Sequence, residues 1–255
     1  MSPLDPTGIA AFLERHIEAF HDARLRSLSE IRLITILRRK NPYLYRAKNV
    51  LIAEDMVRGL LDAHLSSQEE TLFGAVLEAL AIHVAGETSG GRKSSSEGID
   101  LEFVRDGTFH LVSIKSGPNW GNASQIARMV TNFNRAKKIL ATNNPGVHVV
   151  AVNGCCYGRD RSPDKELGYK KLCGQAFWEY LSGDADFYTK IVEPLGYRAQ
   201  ERNERFMSAY AQVVNRFTEE FSREFCRDGI IDWFALVRLN SSRDMPDTTR
   251  REAST

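Results

Sequence analysis

The chain has 255 residues, 42% of them hydrophobic, and a formal net charge of +1. That supplies the apolar core of one large domain or two small ones and excludes wholesale disorder. The small net charge excludes a strongly basic, non-specific nucleic-acid coat but not a local basic cleft. The opening MSPLDPTGIA has neither the charged n-region nor the apolar h-region of a signal peptide. No uninterrupted apolar run approaches membrane-spanning length, so a soluble, cytoplasmic protein is expected. Four cysteines in a chain of this length do not make a disulfide scaffold.

Residues 8 to about 40 follow a helical pattern, with Ile9, Phe12, His16, Ala19 and Phe20 at three- and four-residue spacing. A second helix over SEIRLITILRRK ends in Arg38, Arg39 and Lys40, cations suited to the negative end of a helix dipole. NPYLYRAKNV, with Pro42, reads as a turn leading into a helix over about 53–64. A longer helix follows over QEETLFGAVLEALAIHVAG, with Leu72, Val76, Ala79 and Leu80 on or near one face. Glu78 sits among them, and a carboxylate there needs a partner or a solvated side. ETSGGRKSSSEG is either a flexible loop or, through Arg92 and Lys93, a basic loop beside a phosphate backbone.

EGIDLEFVRDGTFHLVSIKSG then reads as two short strands around an Asp-Gly hairpin turn. Alternation puts Phe109, Leu111, Ser113 and Lys115 on one face and His110, Val112 and Ile114 on the other. Asp100 and Glu102 oppose Ile99, Leu101 and Phe103. Asp100 and Lys115 therefore become neighbours near the open end of the hairpin. One reading is a structural ion pair of little energetic weight. The other is chemistry, because Lys115 ends an apolar run at a strand end that opens into Ser-Gly-Pro. The chemistry that fits is phosphodiester hydrolysis. The carboxylate would hold Mg²⁺, and the ammonium would position the attacking water or neutralise charge developing on the phosphate.

GPNWGNASQ leads into the next helix, where Asn122 or Ser124 can cap and Ile126, Met129, Val130, Phe133, Ala136 and Leu140 form the apolar stripe. Asn119, Trp120 and Asn122 are candidates for DNA contact, since amides pair with base edges; Trp120 could equally be a packing residue. GVHVVAVNGCCYG contains a nearly continuous apolar strand, 147–152, expected at the centre of a sheet with helices on both sides. Adjacent Cys155 and Cys156, with Cys173 and His148, have the wrong spacing for zinc and read as free buried thiols. Arg159 and Arg161 serve either loop solubility or phosphate contact. The last third reads as mostly helical, with Phe177, Trp178, Phe206, Tyr210, Val214 and Phe217 in apolar stripes, and residues 241–255 read as a disordered polar tail.

NPYLYRAKN, TLFGAVLEALA, SSEGIDLEF, SIKSGPNWGNASQ and VNGCCYGRD together resemble the PD-(D/E)XK nuclease superfamily, and more closely its type II restriction endonucleases of the PmeII-like group. The resemblance implies an α/β fold: a central mixed sheet flanked by helices, with helical N- and C-terminal additions. The expected layout is one nuclease domain over 1–240, including helical parts at 1–66 and 175–240. Asp100 would be the metal ligand, with the main-chain carbonyl of Ile114, and Lys115 the catalytic ammonium. The superfamily usually has an acid two residues before the lysine, where this chain has Ser113. The resemblance makes Glu78 the preferred supplier of that acid and Glu97 the second. Gln125, in the first turn of its helix, either orients the metal-bound water or is plain surface polarity. The expected cofactor is Mg²⁺, for which Mn²⁺ can substitute. Expected partners are double-stranded DNA, a second copy of the chain and a cognate DNA methyltransferase of a restriction-modification system. In this setting Arg92, Lys93, Arg159 and Arg161 read as DNA contacts. The rival readings are a structure-specific repair or recombination nuclease and a non-catalytic DNA-binding protein in which Ser113 marks a decayed site.

Overall fold

The computed structural model describes residues 1–160 and 162–243. Its elements run α1 (Pro6–Glu30), α2 (Leu33–Arg39), α3 (Pro42–Ala47), α4 (Ala53–Ser89), β1 (Arg92–Lys93), β2 (Leu101–Arg105), β3 (Thr108–Lys115) and α5 (Ala123–Asn143). They continue with β4 (His148–Cys155), β5 (Asp164–Lys165), β6 (Tyr169–Cys173), α6 (Gln175–Ser182), α7 (Phe187–Lys190), α8 (Val192–Leu195), α9 (Ala199–Phe225), β7 (Cys226–Arg227), β8 (Ile230–Ile231) and α10 (Trp233–Ser241). The chain divides into two compact units, one of residues 1–20 and 72–197 and one of residues 21–71 and 198–255. Of the tail expected over 241–255, residues 244–255 lie outside the described residues.

The first unit is a mixed six-stranded sheet of order β1-β2-β3-β4-β6-β5 with helices on both faces, as the α/β reading expected. β2 and β3 form the anticipated hairpin, in the register Leu101 to Val112 and Arg105 to Thr108. Asp106 (φ 51) and Gly107 (φ 73) both take the left-handed conformation that a two-residue hairpin turn needs. β3 runs parallel to β4, which also pairs with β6, so the apolar β4 is central. On one face Leu77, Leu80, Ala81 and Val84 of α4 pack with Leu101, Phe103, Val112, Ile114 and Val152. On the other, Met129, Phe133 and Ala136 of α5 cover Leu111 and Ala151. Ile99 belongs to this α5 side, not with Leu101 as alternation predicts, because it lies in a turn before the strand, its N–H donating to the Ser96 carbonyl at 3.1 Å.

The second unit is helical, closed around Leu28, Leu33, Ile36, Met56, Leu60, Val214, Phe217 and Phe221. Arg38 and Arg39 do end a helix, and the Asn240 amide donates to the helix-end carbonyls of Leu37 (3.0 Å) and Arg38 (3.1 Å).

Four expectations about elements are corrected. The second helix begins at Leu33, not Ser29, because Arg32 is extended (φ −121, ψ 134). NPYLYRAKNV is a short helix: Pro42 starts it, and Asn41 caps it by accepting from the Tyr43 N–H at 3.0 Å. The two helices expected over 53–64 and 68–86 are one 37-residue helix, α4, since LSSQEE changes the polarity of a face but contains no glycine or proline to stop the backbone. α4 has the length and apolar composition of a membrane span; Leu77, Leu80, Ala81 and Val84 are buried in the protein core, so it is a core helix. Arg92 and Lys93, read as part of a loop, form β1 on the edge of the sheet.

His110 shows what burial does to a titrating group on this sheet. It stacks on Phe103 at 4.6 Å and hydrogen-bonds the Tyr180 hydroxyl. Burial, followed by the Arg105 charge, lowers its pKa from 6.5 to about 4. The folded state therefore binds fewer protons at His110 than the unfolded state within that window, and the stability it shares falls as pH drops from 6.5 towards 4. His110→Gln is expected to flatten the acid limb of a melting-temperature profile between these pH values; an unchanged profile would contradict the assignment.

Candidate active site

Asp100 immediately precedes β2, its N–H donating to the Val112 carbonyl at 2.9 Å. Its Oδ2 accepts from the Ile114 N–H at 2.6 Å and from the Ser113 hydroxyl at 3.4 Å. Lys115 Nζ lies 3.8 Å from the same oxygen, with 30% of its side chain exposed against 24% for Asp100. Neither group is fully hydrated, and these contacts replace part of the water each has lost. None of them uses Oδ1. In an extended strand the N–H and C=O of one residue point to the same side. The Ile114 N–H points at Asp100, so its carbonyl lies on the Asp100 side, while the Lys115 carbonyl turns to β4 and accepts from the Cys156 N–H at 2.9 Å.

The same ammonium lies over the Trp120 ring, 5.2 Å from its centroid. The Trp120 indole donates to Asn153 Oδ1 at 3.1 Å, and Asn153 Nδ2 donates to the Ser113 carbonyl at 3.2 Å. Beyond Lys115 an open cleft is lined by Lys115, Ser116, Gly117, Pro118, Asn119, Trp120, Tyr157 and Gly158. Tyr157 rests on Gly117, where a Cβ would come within 2.4 Å of its ring. Lys171 ties the two cleft-lining loops together, donating to the Pro118 carbonyl at 2.9 Å and pairing with Asp160 at 3.7 Å. Burial opposes ionisation of Asp160, but the Ser162 N–H, Lys165 and Lys171 outweigh it and hold its pKa below the usual carboxylate value.

Asp100, Ser113, the Ile114 backbone and Lys115 thus meet at one strand end. Glu78 approaches from the other face. Lys93 is the β1 partner of Leu101 and shares its face, which α4 covers. Glu78, on α4, pairs with Lys93 at 3.9 Å. Glu97 is held by Arg128 (3.4 Å) and Arg135 (3.3 Å) of α5. Arg92 pairs with Glu102 at 2.9 Å, and Ser94 donates to the same carboxylate at 2.8 Å. Gln125 and Asn122 form a reciprocal capping box at the start of α5: Asn122 Oδ1 accepts from the Gln125 N–H at 3.1 Å, and Gln125 Oε1 from the Asn122 N–H at 2.9 Å. Asn119 and Arg159 are exposed, Asn119 on the cleft and Arg159 beside its Gly158 edge. Arg161 lies outside the described residues. Cys155 and Cys156 point to opposite faces. Burial and the neighbouring Cys173 raise the Cys155 pKa, and burial followed by the Glu78 charge pushes Cys156 up to about 12. Sequence reasoning passed over Asn153, Tyr157, Asp160 and Lys171. Asn153 left a signal, a single amide inside the apolar run VVAVNGCC.

A family model described as "Type II restriction endonuclease EcoO109I" matches residues 7–203. The chain belongs to this family of type II restriction endonucleases. No curated protein matches it at a comparable level. Membership makes the protein a DNA-binding deoxyribonuclease, and the match spans the whole six-stranded sheet and both helices that flank it.

The donor chemistry at the strand end of this endonuclease fits Mg²⁺. It offers hard oxygens, the Asp100 carboxylate and the Ile114 carbonyl, and leaves other positions to water, as that ion prefers. Among the described residues no three His, Cys, Asp or Glu side chains group as a metal cage.

Gly98 sets the turn that presents Asp100. Its φ is +72, and a Cβ there would come within 2.0 Å of Asn132 Nδ2. Gly98→Ala is expected to cost about 1–2 kcal/mol of stability from backbone strain and to lower DNA cleavage more than tenfold by displacing Asp100. Denaturant melts and cleavage rates measured together test this; full activity would show that the turn does not position the carboxylate.

Proposed function

We propose that this endonuclease hydrolyses double-stranded DNA at a short specific sequence, with Mg²⁺, by PD-(D/E)XK-type chemistry. The observation that carries the reading is the Asp100–Lys115 contact of 3.8 Å at a strand end that opens onto a cleft. Asp100 and the Ile114 carbonyl would hold Mg²⁺, which when bound supplies Lewis-acid stabilisation to the phosphate. Mn²⁺ can take its place. Lys115 offers a positive charge and hydrogen-bond donors to a phosphate oxygen or to the attacking water. Ser113 holds the Asp100 carboxylate in place.

Glu78 is the proposed second acid, its carboxylate beside Lys93 of β1. Its pair with Lys93 is long and exposed, a kind that contributes little, so an approaching phosphate can draw Lys93 away and release Glu78. Gln125 faces its own helix start and serves the capping box that fixes the loop after Lys115. Asn119, Arg159, Arg161, Lys93 and Arg92 are the proposed DNA contacts, with Asn122 and Trp120 shaping the loop that carries Asn119. A homodimer would place two such sites on a two-fold symmetric DNA sequence. A cognate methyltransferase would protect that sequence in the host.

A second reading has an observation of its own. Where the superfamily carries an acid, the Ser113 hydroxyl bonds Asp100, an arrangement equally suited to a DNA-binding protein that has lost catalysis. Incubating the purified protein with unmethylated phage DNA, in Mg²⁺ and in EDTA, separates the readings. Discrete metal-dependent fragments are expected. A smear would indicate a nuclease that recognises DNA structure, and retained but intact DNA would indicate the binding protein.

A further inference from the structure

We infer that Trp120 and Asn153 are positioning residues that hold Lys115 and Asp100 in register, an inference that rests on the nuclease reading above. Asn153 lies in β4 directly opposite Ser113 of β3 and is 1% exposed. A buried amide must have its polar atoms satisfied, and both ends of this one are used by the site. Its orientation follows from chemistry: an indole N–H can only donate and a main-chain carbonyl can only accept. Oδ1 therefore faces Trp120 and Nδ2 faces the Ser113 carbonyl, at 3.1 and 3.2 Å.

The amide fixes two things at once. It holds the strand segment carrying Ser113 and Lys115, and it sets the tilt of the Trp120 ring. That ring lies 5.2 Å from the Lys115 ammonium, within cation–π range. The ammonium thus contacts both the Asp100 carboxylate and the negative face of an indole. A lysine has four rotatable side-chain bonds, and unrestrained it would spend little time over one phosphate. The contacts close into a ring: Asp100 to the Ser113 hydroxyl, the Ser113 carbonyl to Asn153, Asn153 to Trp120, Trp120 to Lys115, and Lys115 to Asp100. Trp120 then acts through Lys115 and not by touching bases, although it stands on the cleft.

The test measures single-turnover cleavage and DNA dissociation constants for wild type, Trp120→Phe and Trp120→Leu, each also with Lys115→Ala. Trp120→Leu is expected to slow cleavage roughly tenfold while affinity stays within about twofold. Trp120→Phe keeps a π face and should lose no more than about threefold. With Lys115→Ala in place, Trp120→Leu should slow cleavage no further. A matching loss of DNA affinity in Trp120→Leu would make Trp120 a DNA contact and overturn the inference. So would equal damage from Phe and Leu, which would mark a packing residue. A readout free of activity is the NMR signal of the Lys115 ε-methylene, identified by its loss in Lys115→Ala. The Trp120 ring current should shift it upfield in wild type and Trp120→Phe, and the shift should vanish in Trp120→Leu. If wild type shows the shift and cuts no DNA, the positioning geometry stands and the nuclease reading falls. If wild type cuts DNA and shows no shift, the positioning inference falls.

Discussion

A half-buried carboxylate and a half-buried ammonium 3.8 Å apart, where β2 and β3 separate, is the contact on which the candidate site depends. Two charges withdrawn from water in this way are stable only if each is paired and hydrogen-bonded. Asp100 obtains its support from the Ile114 N–H and the Ser113 hydroxyl, both from the strand that carries Lys115. The same short segment therefore supplies the lysine, the stabilising donors and a main-chain carbonyl facing the carboxylate. That economy requires an antiparallel hairpin in one register, because a slip of one residue would turn every side chain to the opposite face.

The sheet also separates what the site uses from what supports it. The α4 face is apolar across β2, β3 and β4 apart from His110, which stacks on Phe103. The α5 face carries Asp100, Ser113, Lys115 and Asn153, with Met129 and Phe133 packed beside them. Polar residues gather at the C-terminal ends of the parallel strands β3 and β4, where loops leave the sheet and the cleft opens. The loops there are braced from below by Lys171 and Asp160. The cleft is thus built on strand ends, with Asn119 and Arg159 exposed at its margin.

The hairpin was legible because its signals are local: Asp-Gly at the turn, strict alternation, and an acid and a lysine at the open end. The central strand was legible because it is apolar on both faces. What escaped depends on partners distant in sequence. β1 carries two charged residues and is a strand only because β2 offers an edge to pair with. β6 has two lysines in YKKLC, and pairing with β4 overrides that composition. β7 and β8 repeat the Asp-Gly signal, at Asp228 (φ 50) and Gly229 (φ 77), but their strands are two residues each, too short for alternation to register. Asp100 and Lys115 were named from the sequence as neighbours. Asn153 was not, since nothing in VVAVNGCC says that its amide faces Ser113. The face from which Glu78 approaches follows only from the register of β1.

The central claim is that Asp100 and Lys115 act on one scissile phosphate. Its most direct test is single-turnover cleavage of a bound DNA site by wild type, Asp100→Asn and Lys115→Ala, with affinity measured in parallel. The account predicts cleavage slowed by about a thousandfold in each variant, with DNA binding nearly unchanged. Cleavage by either variant within tenfold of wild type would contradict it.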